Sequence, residues 1–266
     1  MKIKINTNIS GLLLLVLILF ACKKQDDWLD VKRNKSDVVP ETFKDFQALL
    51  DNTTILTTNG TAGLAGADNI YFTDVNFLSA PELDRNLYTW NKQIWINGSS
   101  LDWTFGYRAI EYANIVLDGL NKLDPNSTEF NNIKGQALFW RSYSFFNLAQ
   151  VFCNPYDPIT ANNDLGLPLR LTSDVNQIFQ RSKLNDVYKQ IIDDISTAYE
   201  FLSPNPPFMT RPSKAAAAGL LAKCYLIMGD YNNSLLWANN ALNIKGTILD
   251  FNSNYSSISL TYRFPL

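Results

Sequence analysis

One stretch does most to limit what this chain can fold into. Wound as a helix, the segment Ala137–Phe152 (ALFWRSYSFFNLAQVF) is apolar on nearly every side. Such a helix has to be buried all round, so other elements must pack against several of its faces. Arg141, Asn147 and Gln150 interrupt it and it is short, which argues against a membrane span and for a cover made of protein. The rest of the chain supplies that cover as further helices. Trp103, Tyr107, Ile110 and Asn114 recur at helical spacing, and Leu117 and Leu120 prolong the same face. Asp124-Pro125-Asn126 is a turn, and the buried helix then starts near Glu129.

Val187, Ile191, Ile195, Ala198 and Leu202 form a clean stripe, with Ser182 as its expected N-cap and Ser203-Pro204-Asn205-Pro206-Pro207 as its stop. Pro212-Ser213 opens a helix from Lys214 to Met228, whose Ala215–Ala218 run permits close approach. Gly229-Asp230-Tyr231 breaks to a last helix, about Asn232 to Ile244. A short helix spans Phe43 to Leu50, with Phe43, Phe46, Leu49 and Leu50 on one face. Thr53 to Asn69 and Asn154 to Arg181, rich in Thr, Gly, Asn and Pro, read as long loops. Met228-Gly229-Asp230-Tyr231, Ser234, Ala238 and Ala241-Leu242 resemble the core of a tetratricopeptide repeat, where small residues let paired helices touch. The expected fold is all-α: TPR-like helix pairs in an α-α superhelix with long irregular loops.

The N-terminus carries an address. Lys2 and Lys4 precede an apolar run from Leu12 to Phe20, too short to span a bilayer, so residues 1–21 read as a signal peptide. Leu19-Phe20-Ala21-Cys22 resembles a bacterial lipobox, which implies cleavage before Cys22 and lipid attachment there; Phe20 is bulkier than usual for that position. Lys23-Lys24-Gln25-Asp26-Asp27 resembles the surface-export signal of Bacteroidetes lipoproteins and reads equally as a solvated linker. Residues 22–35 then form a lipidated tether.

Composition narrows function by exclusion. The 266 residues contain no histidine, which removes Ser-His-Asp and Cys-His nucleophile systems and imidazole metal sites. A net charge of -2 offers no basic stripe for nucleic acid. Cys153 and Cys224 sit in apolar helical text as small hydrophobes, with a disulfide between them left open. Gly60, Gly63 and Gly66 lack the pattern of a phosphate loop. Asp157, Asn162, Asn163 and Asp164 gather oxygen donors without EF-hand spacing, so neither metal nor cofactor is expected. Asp193-Asp194 reads as a solvated helix face rather than a catalytic pair.

Aromatics make up 13% of the chain, enough for stacking surfaces as well as core. The densest candidate for ligand contact is Tyr88 to Asn97, which joins Trp90 and Trp95 to Asn91, Gln93 and Asn97. Exposed rings there would stack on sugar faces while the amides meet hydroxyls. The competing and commoner fate is that both tryptophans pack under the loop as core. Trp103, Tyr107 and Trp140 are expected in the core, and Trp237 between the last helices.

Taken in order, these pieces resemble the SusD/RagB family. The resemblance is carried by Trp28-Leu29-Asp30-Val31, Val38-Val39-Pro40, Trp103…Tyr107…Ile110…Asn114, and Ile133-Lys134-Gly135 with Ala137-Leu138, Arg141, Tyr143, Phe146 and Leu148. It continues in Asn154-Pro155-Tyr156, Gly166-x-Pro168-Leu169, Val187-Tyr188…Asp194 and the block from Arg211 to Tyr231. It implies a surface lipoprotein without catalytic residues, held to the outer membrane by its N-terminal lipid. Such a protein sits as a lid on a SusC-like TonB-dependent transporter and delivers oligosaccharides or peptides to it. Residues 36–244 would be the N-terminal helical domain of such a protein, and 245–266 an irregular tail that begins a missing C-terminal half. On that expectation the product is marginally stable. Two other outcomes stay open: a TPR-like surface adaptor that binds protein only, or a non-functional truncated relic. A surface glycosidase finds no support in the carboxylate spacing.

Overall fold

The computed structural model describes residues 39–56, 62–96 and 100–247. The signal peptide, Cys22, the tether, Asn97 and the tail from residue 248 lie outside the described residues. Val39 and Pro40 close a first unit of the chain, and every element below belongs to a second that starts at Glu41.

Helix α1 (Phe43–Leu50) begins where the sequence predicts, because Thr42 and Asp45 form a reciprocal capping box. The Thr42 hydroxyl and the Glu41 and Thr42 amides hold the Asp45 carboxyl below its ordinary range. Short helices α2 (Thr53–Leu56), α3 (Ala62–Ala65), α4 (Asp74–Ser79) and α5 (Glu82–Tyr88) follow. The expected loop from Thr53 to Asn69 therefore contains two helical turns, anchored by the buried side chains of Leu56 and Ala62.

Long helices α6 (Leu101–Leu120) and α7 (Thr128–Phe152) fold back on one another, capped by Ser100 and Ser127. Their antiparallel course follows from their contacts: Tyr107 meets Phe145, and Asn114 meets Arg141. Helix α7 is buried on most sides, as its composition requires, with Phe145, Phe146, Trp140 and Leu148 in the core. Helix α1 lies against α6 because position 119 has no side chain. A Cβ on Gly119 would meet the Phe46 ring at 2.2 Å.

The segment after α7 is not wholly irregular. Strand β1 (Leu165–Pro168) pairs antiparallel with β2 (Arg181–Lys183), Leu165 opposite Lys183 and Pro168 opposite Arg181. Ser182 does not cap the next helix, α8 (Leu184–Phe201). Its hydroxyl donates to the Leu167 carbonyl at 2.6 Å, and the N-cap is Lys183 without a side-chain bond. The first amides of α8 instead donate to the carbonyls of Asp164 and Ala161, so no cap side chain is needed.

Helix α8 buries the predicted stripe of Val187, Ile191, Ile195 and Ala198. Helices α9 (Lys214–Ile227, capped by Ser213) and α10 (Tyr231–Ile244) form the last pair. Gly229 makes the turn between them at φ +77°, and the Ser234 hydroxyl donates to the Ala222 carbonyl across the pair. Trp237 meets Tyr199 of α8 edge-on at 5.0 Å, as expected for a ring between the last helices. The fold is all-α, its helix pairs stacked side by side, with one small hairpin among the described residues.

One other expectation changes. Asp194 is buried, not solvated. The Arg141 guanidinium donates to both its oxygens at 2.7 and 2.8 Å, while Asp193 beside it is exposed. Burial pushes the Asp194 carboxyl upward, and the Arg141 and Gln190 hydrogen bonds oppose that shift. Cys153 and Cys224 are free thiols, half-buried and buried respectively.

Candidate functional site

The site grows out of the end of α5. Thr89 is its C-cap, the Trp90 amide donates to the Leu87 carbonyl, and the Asn91 amide donates to the Asn86 carbonyl. That pair of bonds defines a Schellman motif, whose residue after the cap must be left-handed and is ordinarily glycine. Here it is Trp90, with φ +52°. The same motif ends α9, where Gly229 and Asp230 donate to Leu226 and Tyr225, and there the left-handed residue is a glycine. A non-glycine in this region costs on the order of 1–3 kcal/mol. Trp90 is the one non-glycine residue at positive φ among those described.

The turn carries the ring out into solvent. Trp90 is 77% exposed, so the expectation that both tryptophans pack under the loop fails for it. Its indole Nε1–H donates to the Gly66 carbonyl at 2.8 Å, which fixes the orientation of the ring. Trp95 takes the intermediate course. It is half-buried, with its ring tilted against Phe152 at 5.1 Å.

Phe152 is held in turn at the end of α7. The Arg181 guanidinium donates to its carbonyl at 3.0 Å and to those of Gly166 and Leu165, a cation at a helix C-terminus.

Between the two tryptophans lies a cleft of about 380 Å³, with Leu87, Asn91, Ile94 and Gln150 also on its wall. Trp90, Trp95 and Asn91 are thus brought together as the sequence suggests. Gln93 is exposed and does not line the cleft. Its amide donates to Asn91 Oδ1 at 3.0 Å, and Asn91 Nδ2 donates to Asn86 Oδ1 at 3.2 Å, so the pair shapes the loop.

Sequence reasoning missed Gln150 and Phe152 as site residues. Gln150 was legible only as a polar break in an apolar helix. Its amide group donates to the Tyr188 hydroxyl at 2.9 Å, and burial pushes that phenol up to about 12, keeping it neutral. A second cavity of about 380 Å³ adjoins, sharing Gly63, Gln150 and Val151 and adding Asp102, Asn147 and Lys223. Among the described residues, no charged side chain lines the first cleft, and one cation and one anion line the second.

The oxygen-rich loop is spent on its own turn. Asp157 accepts from the Ile159 amide, and Asp164 accepts from Thr160 and Asn154. No group of three metal-ligating side chains occurs among the described residues. Nor is any described helix long and apolar enough to cross a membrane.

The chain and its fold have relatives. A curated SusD-like protein of Formosa agariphila is 30% identical over 135 residues, which is 50% of this chain and 25% of the relative. The crystal structure of a SusD superfamily protein of Bacteroides thetaiotaomicron superposes with a TM-score of 0.64 at 25% identity, covering 79% of this chain and 49% of that one. A putative sugar binding protein of Bacteroides vulgatus gives 0.62 at 27% identity, covering 78% of this chain and 47% of its own length. The chain thus spans about half the length of the solved relatives. Residues 27–226 match the family of SusD-like, starch-binding proteins associating with the outer membrane, and the chain belongs to that family.

Proposed function

We propose that this protein is a cell-surface lipoprotein, anchored through Cys22, that captures a carbohydrate at the Trp90–Trp95 cleft and hands it to a SusC-like TonB-dependent transporter. The observation that carries the reading is Trp90. A large apolar ring stands in solvent at a backbone position that favours glycine, locked in place by its own N–H. Neither packing nor turn chemistry calls for that residue, so a ligand that covers the ring is its natural partner. Family membership and the sugar-binding description of the Bacteroides vulgatus relative support a glycan as that ligand.

The wall chemistry refines the choice. Aromatic faces cover the C–H faces of a sugar ring, and the Asn91 and Gln150 amides meet its hydroxyls. With no charge among the described residues of the wall, an uncharged glycan fits better than a peptide or an acidic polysaccharide.

Native gels cast with neutral polysaccharides, acidic polysaccharides and mixed peptides test the reading directly. A neutral glycan is expected to retard the 266-residue chain independently of salt, and Trp90→Ala is expected to weaken binding by about tenfold or more. Retardation unaffected by Trp90→Ala, or seen with peptides alone, overturns the assignment of the cleft. The transporter role is tested by affinity purification from outer membranes, where a TonB-dependent barrel is the expected companion. Recovery without any barrel would favour a surface adaptor.

A further inference from the structure

A second aromatic groove lies beyond the Trp90 cleft. It measures about 570 Å³ and runs between the first half of α6, at Trp103, Tyr107 and Glu111, and the segment from Pro168 to Phe179. Its outer wall is tied down at several points. Asn114 Nδ2 donates to the carbonyls of Arg170 and Thr172 at 3.0 and 3.2 Å. The Asp118 carboxylate accepts from both the amide and the hydroxyl of Ser173 at 2.7 Å. The Tyr107 hydroxyl donates to the Pro168 carbonyl at 2.9 Å. This is a fixed wall, yet it holds Val175 and Ile178 out in water, 72% and 93% exposed. Arg170 lies over the Phe179 ring at 5.3 Å, and Glu111 faces the same groove.

Groove and cleft are joined by a file of rings. Trp95 meets Phe152 at 5.1 Å, Phe152 meets Trp103 at 5.0 Å, and Trp103 meets Tyr107 at 4.7 Å. All four are half-buried, so each keeps some surface open.

We infer that the groove between α6 and residues 168–179 is a second subsite for the same glycan, so that cleft, ring file and groove form one track for a polymer. The inference rests on the carbohydrate reading of the Trp90 cleft. The chemistry repeats that of the cleft: ring faces for C–H surfaces, with Gln177, Glu111 and Arg170 to hydrogen-bond hydroxyls. The opposite charges of Glu111 and Arg170 leave the groove suited to an uncharged chain. Val175 and Ile178 lose their exposure when a sugar chain lies across them.

The test is a chain-length series. Oligosaccharides derived from starch and from β-glucans, from disaccharide to octasaccharide, are titrated against the 266-residue chain. Affinity is expected to climb with length, because the second contact is made by an already tethered ligand. Phe179→Ala and the paired change Val175→Ser with Ile178→Ser are expected to weaken the longest oligosaccharide by about tenfold and leave the disaccharide unchanged. The paired change touches exposed side chains only and so keeps the fold. Trp90→Ala should weaken every length. Affinity that is flat with length, or groove variants that bind the octasaccharide like the parent, overturn the second subsite while leaving the Trp90 cleft standing. Failure of every oligosaccharide to bind removes both.

Discussion

Two residues occupy identical turns with different chemistry. Trp90 and Gly229 each occupy the left-handed position of a Schellman motif, one as tryptophan and one as glycine. Trp90→Gly relieves the backbone while losing the exposed Nε1–Gly66 bond, and these effects offset. Its unfolding free energy is expected to stay within about 1 kcal/mol of the parent. Gly229→Ala has room for the methyl group but not the conformation, and is expected to cost about 1 kcal/mol or more. Urea denaturation of both variants checks the pair. A large loss for Trp90→Gly would show that the ring supports the fold, and would weaken its claim as a ligand contact. The hydrophobic spacing of the sequence marks neither position. Gly229 is legible as a turn residue, but nothing in the text around Trp90 reveals that its ring turns outward.

Between elements, the strongest single tie is polar. Arg141 of α7 donates to both Asp194 carboxylate oxygens on α8, to the side-chain Oδ1 of Asn114 on α6 and to the backbone carbonyl of Leu171. One guanidinium thus joins three helices and the loop that walls the second groove, with Gln190 completing the acceptor. Asp194→Asn leaves the Arg141 charge buried without its counter-charge and without one of its two bonds to position 194, and is expected to destabilise the protein by about 3 kcal/mol or more. A double-mutant cycle with Arg141→Met separates the pair from the rest of the network. Strict additivity would mean the two groups are uncoupled and the account is wrong. From the sequence, Asp194 passes for solvent-facing because its neighbour Asp193 is. Adjacent helix positions point about 100° apart, so one acid can face water while the next faces a partner on another helix.

Across the whole molecule, protection is graded from α7 outward. Helix α7 is enclosed by α6, α8 and α1, whereas α10 has no fully buried residue and leaves Tyr231, Leu235, Leu236 and Leu242 exposed. Hydrogen exchange is expected to find the α7 amides opening only with global unfolding, and those of α10 opening locally and far sooner. Equal protection in the two helices would show that α10 is held by contacts beyond its pairing with α9 and the Trp237–Tyr199 ring contact.

The sequence by itself determined α1 and the long helices, but not the short α4 and α5. The apolar periodicity of α1 and the long helices, the helix opening at Pro212-Ser213, the glycine turn at 229 and the family to which the chain belongs could be read from it, because these depend on residues close together in the chain, whereas the side-chain caps at Thr42, Ser100 and Ser127 emerged with the structure. The two short turns within 53–69, the hairpin of β1 and β2 and the true start of α8 could not. They form because distant segments supply their hydrogen bonds and their burial. The candidate cleft belongs to the same class. Trp90, Trp95 and Asn91 stand close together in the text, but Gln150, Phe152 and the groove from 168 to 179 join them only when α7 is packed. Tertiary structure alone decided which aromatic rings became core and which became surface, since the same spacing of apolar side chains serves either end.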